Sequence, residues 1–346
     1  MTTLKTAPAE SAPSARQVVI TTIHGALRGS LADGVHTFLG VPYAAPPFGA
    51  NRLRPPRPVQ AWAGVRDALT YSAKPPQLPY LPPWDVLIPE RGPLGEDCLN
   101  LNIWTPEPRS AGLPVMVWIP GGMFEAGSGA TYNGSHFARD GVVCVTINYR
   151  VGAEGFLYLG EGNANRGLLD QVAALEWVRD NIAAFGGSPD NVTIFGRSAG
   201  GTSVGTLLSM PRGAGELFSA IQGDWLFRIP ALRLAEAHAK NSEATYVYEF
   251  AWRAPQFDGR LGACHGADVA FVFDDLNQET EELAGSNPPQ QLADRMHAAW
   301  IAFARNGDPG WAKYDLTRRA TMRFDTRSEV VDDPQSIERT LWAGIR

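Results

Sequence analysis

The chain has 346 residues, of which 44% are hydrophobic and 19% charged, a composition typical of a globular protein with a sizeable core. Its net charge of −6 argues against a nucleic acid or an anionic membrane surface as the partner. Three scattered cysteines, Cys98, Cys144 and Cys264, do not suggest a disulfide framework, and the isolated histidines show no metal-binding spacing, so no metal site is predicted.

Residues 1–16 are rich in alanine, serine and proline and predict a disordered N-terminal tail. They contain no apolar segment like that of a signal peptide, and the sequence has no apolar run of membrane-spanning length. We therefore expect a cytoplasmic protein with no membrane partner, in which residues 17–346 form a single domain.

The N-terminal part of the sequence is rich in β-strand patterns and then in proline. Residues 17–31 alternate apolar and polar side chains around Gly25, which predicts a hairpin, and residues 35–42 continue this β-rich region. Residues 44–93 form a proline-rich connection. Because long connections without regular structure are uncommon, this one is expected to form a wall or rim around a site.

The middle of the chain alternates strands with helices. Residues 99–104 alternate like an antiparallel strand, whereas 115–119 and 142–148 are continuously apolar, as is typical of strands buried on both faces. Helical spacing follows over 165–185, and a short strand over 192–195. This alternation predicts an α/β fold with a mostly parallel central sheet and helices on both faces. The later predicted elements are helices over 201–210, 229–239 and 289–306, and strands over 218–222 and 245–252.

The strand at 192–195 leads into a serine flanked by glycines. Residues 196–200 read Gly-Arg-Ser-Ala-Gly, the G-x-S-x-G pattern between a predicted strand and a predicted helix. The glycines allow a sharp turn, which would expose the Ser198 hydroxyl for nucleophilic attack. An ordinary glycine-rich turn is the alternative.

A serine nucleophile needs backbone N–H donors that stabilise the oxyanion. The glycine-rich loop 120–124 follows the strand 115–119, where α/β hydrolases place such donors, and a further donor would come from Ala199. The alternatives are a flexible turn or a dinucleotide-binding loop. The second lacks the G-x-G-x-x-G spacing and is set aside.

His265 is the candidate base, because in this fold the histidine follows the serine and the acid along the chain. It lies in the glycine-flanked loop 262–266, after the predicted strand 245–252. A loop histidine is by itself more often solvated than catalytic. The other histidines either belong to predicted helices or precede the serine: His238 and His297, and His24, His36 and His136.

In combination these motifs resemble the type-B carboxylesterase family, which includes cholinesterases and bacterial para-nitrobenzyl esterases. The resemblance covers about residues 17–325. It is carried by Gly40-Val-Pro-Tyr-Ala44, Gly95-Glu-Asp-Cys-Leu-Asn-Leu-Asn-Ile-Trp104, Gly121-Gly122 before Phe124, Asn148-Tyr-Arg-Val-Gly152, Gly167-Leu-Leu-Asp-Gln171, the Ser198 turn, and the His265 loop leading to Phe271-Val-Phe273.

The resemblance implies an α/β-hydrolase fold and a serine hydrolase that cleaves small-molecule carboxylic esters through an acyl-enzyme, without a cofactor. Ser198 would be the nucleophile and His265 the general base. Gly122, Met123 and Ala199 would supply the oxyanion N–H groups. The family's two buried ion pairs would correspond to Arg52–Glu96 and Arg150–Asp170.

Two substitutions near the expected site depart from the family pattern. Arg197 stands where the family usually has glutamate, and a cation beside an imidazole lowers its basicity. Met123 replaces a small residue of the oxyanion loop. Its N–H group remains, but the larger side chain would narrow the acyl pocket or bend the loop.

A long family segment is absent between Ile221 and Trp225, including a strand and the loop that bears the triad acid. Asp224 is a weak substitute on position, and a polar turn residue is the alternative. Disrupting the orienting acid lowers kcat by about 10⁴-fold in serine proteases, so a reduced esterase activity is expected. The alternative function is a catalytically inactive carboxylesterase-like protein or binding module.

Overall fold

A computed structural model describes residues 16–80, 91–159, 164–209, 228–242, 244–256, 262–277, 280–285, 287–334 and 336–341. The predicted tail up to residue 15, the predicted strand 218–222 and Asp224 lie outside these residues. The strands are β1 (Arg16–Thr22), β2 (Gly25–Ala32), β3 (Val35–Pro42), β4 (Val65–Asp67), β5 (Asn100–Thr105), β6 (Leu113–Ile119), β7 (Val143–Ile147), β8 (Gly187–Gly196), β9 (Val247–Phe250), β10 (Ala320–Phe324) and β11 (Glu329–Asp332).

The helices are α1 (Ser135–Arg139), α2 (Gly152–Phe156), α3 (Arg166–Asn181), α4 (Ala199–Ser209), α5 (Arg228–Ala239), α6 (Asp268–Val272), α7 (Glu281–Ala284), α8 (Gln290–Asn306) and α9 (Ser336–Leu341). The four predicted helices are present as α3, α4, α5 and α8, and the other described helices are short and were not predicted. The predicted helix 165–185 is α3 followed by a 3-10 turn. It ends at Gly186, whose φ of 85° suits a glycine. None of the helices in the described ranges is both long and apolar enough to cross a bilayer.

The main sheet has the strand order β1-β2-β3-β5-β7-β6-β8, with β4 beside β2. Strands β1, β2, β3, β5 and β7 pair antiparallel in succession, and only β7-β6-β8 and β2-β4 pair parallel. The expected α/β fold is therefore present, but the described part of the sheet is mixed, and the prediction of a mostly parallel sheet is wrong for it. The N-terminal strands form an antiparallel meander, because short turns join neighbours directly.

Successive side chains of the central strands pack into two hydrophobic clusters on opposite faces of the sheet, as expected for strands buried on both faces. On β6, Val115 and Val117 belong to an apolar cluster that includes Val178 of α3. Met116 and Trp118 belong to a second cluster on the other face, together with residues of α1, α6 and α8. The sheet thus lies between two helical layers.

Strand β8, which leads to Ser198, forms one end of the main sheet among the described residues. Its residues 192–196 are only half-buried, unlike those of β6 and β7. The predicted strand 245–252 corresponds to β9, which pairs with β10 in a separate small sheet of order β11-β10-β9 instead of joining β8. This edge is where an additional late strand would be expected to pair.

Candidate active site

Ser198 occupies a strained backbone position between β8 and α4. Its φ is 57°, in the left-handed region that non-glycine residues seldom adopt. The turn is closed by hydrogen bonds from Gly200 N–H to Arg197 O at 2.8 Å and from Thr202 N–H to Ser198 O at 2.9 Å. Such strain is typical of functional sites, since the surrounding fold must maintain it. The geometry agrees with the predicted nucleophile turn.

The glycines of the turn are required by close contact with the end of β6. A Cβ atom on Gly200 would lie 1.9 Å from the carbonyl oxygen of Ile119, and one on Gly196 would lie 2.7 Å from the same atom. Because both neighbours are backbone atoms, neither can move aside cheaply. The glycines therefore let α4 begin directly against the central sheet.

We expect Gly200→Ala to lower the free energy of unfolding by about 3 kcal/mol or more, at the upper end of overpacking effects, because the new methyl group meets backbone. Gly205→Ala, in the same helix, is the matched control. Its Cβ would lie 3.4 Å from Leu234 Cδ2, an ordinary contact, so the better helix former should stabilise the protein by about 0.5–1 kcal/mol. Urea denaturation of both variants measures the difference, and equal effects would contradict the close approach.

The predicted oxyanion loop, residues 120–124, follows β6 and touches the Ser198 turn. Its residues Gly122, Met123 and Phe124 all have positive φ values, of 126°, 57° and 63°. A Cβ atom on Gly121 would lie 2.5 Å from the carbonyl oxygen of Arg197 and 3.1 Å from Ser198 Cβ. Only a glycine allows this approach, so the structure brings the predicted loop against the predicted nucleophile.

The three predicted oxyanion donors are available for a ligand within the described part of the chain. There, the backbone N–H groups of Gly122, Met123 and Ala199 donate no hydrogen bond. The Met123 side chain is 62% exposed, so it points away from the packed interior. The larger residue is therefore accommodated at the surface of the loop.

Two hydrogen bonds that the sequence did not predict hold the predicted oxyanion loop in place. The Tyr149 hydroxyl donates a 2.8 Å hydrogen bond to Pro120 O, and Gly152 N–H donates one of 2.6 Å to Phe124 O. The Phe124 ring also packs against Phe156, with 4.9 Å between ring centroids. The signal was present in the motif Asn148-Tyr-Arg-Val-Gly152, which supplies both hydrogen-bond donors.

A second buried support joins α3 to the helix that follows the nucleophile. Gln171 Nε2 donates a 3.0 Å hydrogen bond to Ser203 Oγ, and both residues are fully buried. Because Ser203 lies in the first turns of α4, this bond fixes the helix that carries the Ser198 turn. Gln171 ends another of the motifs noted in the sequence.

The predicted ion pair between Arg150 and Asp170 is confirmed. Two parallel hydrogen bonds of 2.7 Å join the guanidinium to the carboxylate, and the Arg150 backbone N–H adds a third at 3.0 Å. The side chains are 1% and 0% exposed. Arg150 also donates to Arg54 O at 2.7 Å, which ties the proline-rich connection to the core.

The predicted pair between Arg52 and Glu96 is wrong. Arg52 instead donates to Glu154 at 2.9 Å from Nε and 2.5 Å from Nη2, and Glu96 acts on it only as a more distant charge. The Arg52 side chain is largely exposed, so water screens the pair and its effect on stability is small.

His265 lies in a loop that contacts the nucleophile turn through Arg197. A Cβ atom on the neighbouring Gly266 would lie 2.6 Å from Arg197 Nη1, so the arginine side chain covers this part of the loop. The pKa of His265 is lowered, first because protein atoms displace water from part of the ring and then by the Arg197 charge. The Asp268 carboxylate opposes this shift. His265 itself keeps an exposed surface.

Asp224, the weak candidate for the triad acid, lies outside the described residues. In the part of the chain that the structure describes, no group of three or more histidine, cysteine, aspartate or glutamate side chains could hold a metal ion. The candidate site built by the described residues consists of Ser198, the predicted oxyanion loop and the His265 loop.

Comparison with known proteins gives a consistent result over most of the chain. The model of the carboxylesterase family matches residues 15–222 and 212–339, two segments that overlap over 212–222, next to the place where the sequence predicts a missing piece. The chain is 47% identical over 339 residues to the para-nitrobenzyl esterase of Bacillus subtilis (strain 168), covering 93% of this chain and 67% of that protein. It is 44% identical over 348 residues to the cocaine esterase of Homo sapiens, covering 90% of this chain and 59% of that protein.

Solved structures show the same relationship. A PNB esterase superimposes with a TM-score of 0.84 and 27% identity, covering 93% of this chain and 98% of that one. A thermophilic PNB esterase gives a TM-score of 0.83 and 28% identity, covering 93% and 99%. The chain spans less of the curated relatives, from about two thirds of the bacterial esterase to 42% of the cocaine esterase of Oryctolagus cuniculus.

Proposed function

We propose, from the premise that this chain belongs to the carboxylesterase family, that it hydrolyses small-molecule carboxylic esters through an acyl-enzyme on Ser198. The observation that carries the proposal is the strained Ser198 turn with the glycine-rich oxyanion loop packed directly against it. The names of the relatives, which are esterases and hydrolases, support the same reaction class.

The reaction uses groups of this chain alone. Ser198 Oγ attacks the ester carbonyl while His265 takes its proton, and the N–H groups of Gly122, Met123 and Ala199 stabilise the resulting oxyanion. His265 then protonates the departing alcohol, which leaves an acyl-enzyme, and water hydrolyses it by the same steps. Because the pKa of His265 is lowered, the imidazole is neutral and able to accept a proton at neutral pH.

The absence of a triad acid would change the rate of the reaction and not the order of its steps. Without a carboxylate to orient His265, turnover would be slower by about 10⁴-fold, and the oxyanion donors would still contribute. Asp224 stays a weak candidate for that carboxylate. Location in the cytoplasm and a single domain over 17–346 also stay predictions.

We expect a fluorophosphonate probe to modify the purified protein at Ser198, because the probe reacts with a serine whose hydroxyl is activated by a base and an oxyanion hole. Mass spectrometry of peptides after labelling locates the adduct. Hydrolysis of p-nitrophenyl acetate in the same sample measures turnover. Heat-denatured protein is the control for non-specific phosphonylation.

A folded protein that carries no adduct and no turnover would contradict the proposal and favour the inactive, binding-only alternative. Circular dichroism on the labelled sample shows whether the protein is folded. An adduct at another serine would equally contradict the assignment of the nucleophile.

A further inference from the structure

The side chain of Arg197 lies across the loop that carries His265. A Cβ atom placed on Gly266 would be 2.6 Å from Nη1, 2.8 Å from Cδ and 3.1 Å from Cζ of Arg197. The guanidinium and its aliphatic stem therefore pack against the Gly266 backbone, directly after His265. Arg197 itself immediately precedes Ser198 in the turn.

Gly266 has the conformation that this contact requires. Its φ is 82°, a value that L-residues avoid, and the space a side chain would need is filled by the arginine. Backbone bonds from Ala267 N–H to Cys264 O at 3.1 Å and from Val269 N–H to Gly266 O at 3.3 Å fold the loop into the start of α6. The loop is therefore compact, and the Arg197 side chain packs it against the Ser198 turn.

No ion pair accounts for the position of Arg197. Within the described residues it has no carboxylate partner, and its buried Nε atom makes no hydrogen bond. Partial burial of a guanidinium without a counter-ion carries a desolvation cost, which the packing of its side chain on Gly266 helps to offset. The positive charge of Arg197 remains available to act on its neighbours.

Charged groups face His265 from two elements. Arg197 approaches from the nucleophile turn, and Asp268 from the first residue of α6. Asp268 accepts a 3.0 Å hydrogen bond from the Tyr248 hydroxyl, which fixes the carboxylate. The adjacent Cys264 thiol is neutral, since burial raises its pKa. Arg197 therefore acts on the imidazole as a cation and Asp268 as an anion, with opposite effects on the pKa of His265.

We propose that Arg197 is a positioning residue for ester hydrolysis: it holds the His265 loop against the nucleophile turn and places a fixed positive charge beside the imidazole. The inference rests on the proposed function of Ser198 and His265. It assigns a role to the residue by which this chain departs from the glutamate that its family usually has beside the serine.

The direction of the effect follows from the charges. A nearby cation disfavours the imidazolium, so it lowers the pKa of His265, and the base stays neutral to a lower pH. The acid limb of the kcat/KM profile reports the pKa of the base in the free enzyme. Its midpoint should therefore lie below the usual imidazole pKa of about 6.5. Removing Arg197 should move the limb to higher pH, and removing Asp268 should move it to lower pH.

The test compares kcat/KM profiles for p-nitrophenyl acetate between pH 5 and 9 in the wild type, Arg197→Gln, Asp268→Asn and Arg197→Lys. We expect the midpoint of the acid limb to shift to higher pH by about 0.5–1 unit in Arg197→Gln, and to lower pH by a similar amount in Asp268→Asn. Arg197→Lys should keep the limb within about 0.3 unit of wild type, but lower kcat several-fold, because an ammonium lacks the planar guanidinium that covers Gly266.

An NMR titration of the His265 imidazole in the Ser198→Ala background gives a readout that needs no activity, with His265→Gln to assign the signal. A pKa that rises when Arg197 is replaced supports the proposal even in an inactive protein. An unchanged pKa in folded Arg197→Gln overturns it, whether or not the enzyme turns over. Absence of turnover in the wild type would instead contradict the proposed function.

Discussion

We expect Ser198→Ala, His265→Gln and the double variant to lose ester hydrolysis to the same residual rate. A nucleophile and its base act as one unit, so removing the second adds little once the first is gone. The structure favours this unit because Arg197 links the turn that carries Ser198 to the loop that carries His265. Initial rates of p-nitrophenyl acetate hydrolysis, measured against buffer, test the expectation.

The size of the loss reports whether a carboxylate orients His265. In subtilisin, loss of the serine or histidine costs about 2 × 10⁶-fold in kcat and loss of the acid alone about 3 × 10⁴-fold. A chain with a working acid should therefore lose about 10⁶-fold on Ser198→Ala, and a chain without one only about 10²-fold. We expect the smaller loss, because the sequence predicts that the family segment bearing the acid is absent from this chain.

Two distant substitutions serve as controls for these variants. Ser135→Ala at the start of α1 and His36→Gln at the start of β3 remove the same functional groups elsewhere in the fold. Both should keep the wild-type rate. A Ser198→Ala protein that hydrolyses the ester as fast as these controls would show that another residue performs the attack.

The central strands and the nucleophile turn could be predicted because their signals are local. Continuous apolar runs predict the strands at 115–119 and 142–148, and the structure buries every residue of β7. The pattern around Ser198 predicts a strained turn, and its φ of 57° agrees. In each case the residues that determine the local conformation lie within the strand or turn itself.

Sheet pairing and side-chain contacts could not be predicted because they depend on residues far apart in the chain. The strand pattern at 245–252 gives no sign that β9 pairs with β10 and not with β8. The exchange of Glu96 for Glu154 as the partner of Arg52 likewise depends on where α2 lies. The contact between Arg197 and Gly266 joins two loops 69 positions apart in the numbering.

The largest effect on stability should come from breaking the buried pair between Arg150 and Asp170. Asp170→Asn keeps the shape of the side chain but leaves the Arg150 cation without its counter-ion in a site that is 1% exposed. Removing one partner of such a pair typically costs about 3–5 kcal/mol, because the remaining charge stays buried. Urea denaturation followed by tryptophan fluorescence measures the free energy of unfolding. Ester hydrolysis should decrease as well, since the adjacent Tyr149 donates a hydrogen bond to the predicted oxyanion loop.

Two comparisons separate the buried charge from the lost hydrogen bonds. Asp67→Asn breaks a surface pair of similar length, 2.8 Å to Arg28, whose side chains are 60% and 36% exposed, and should cost no more than about 1 kcal/mol. Arg150→Met combined with Asp170→Leu removes both charges and should recover most of the stability lost in Asp170→Asn. If the double variant were as unstable as the single one, the hydrogen bonds to the backbone at Arg150 and Arg54, and not the stranded charge, would account for the loss.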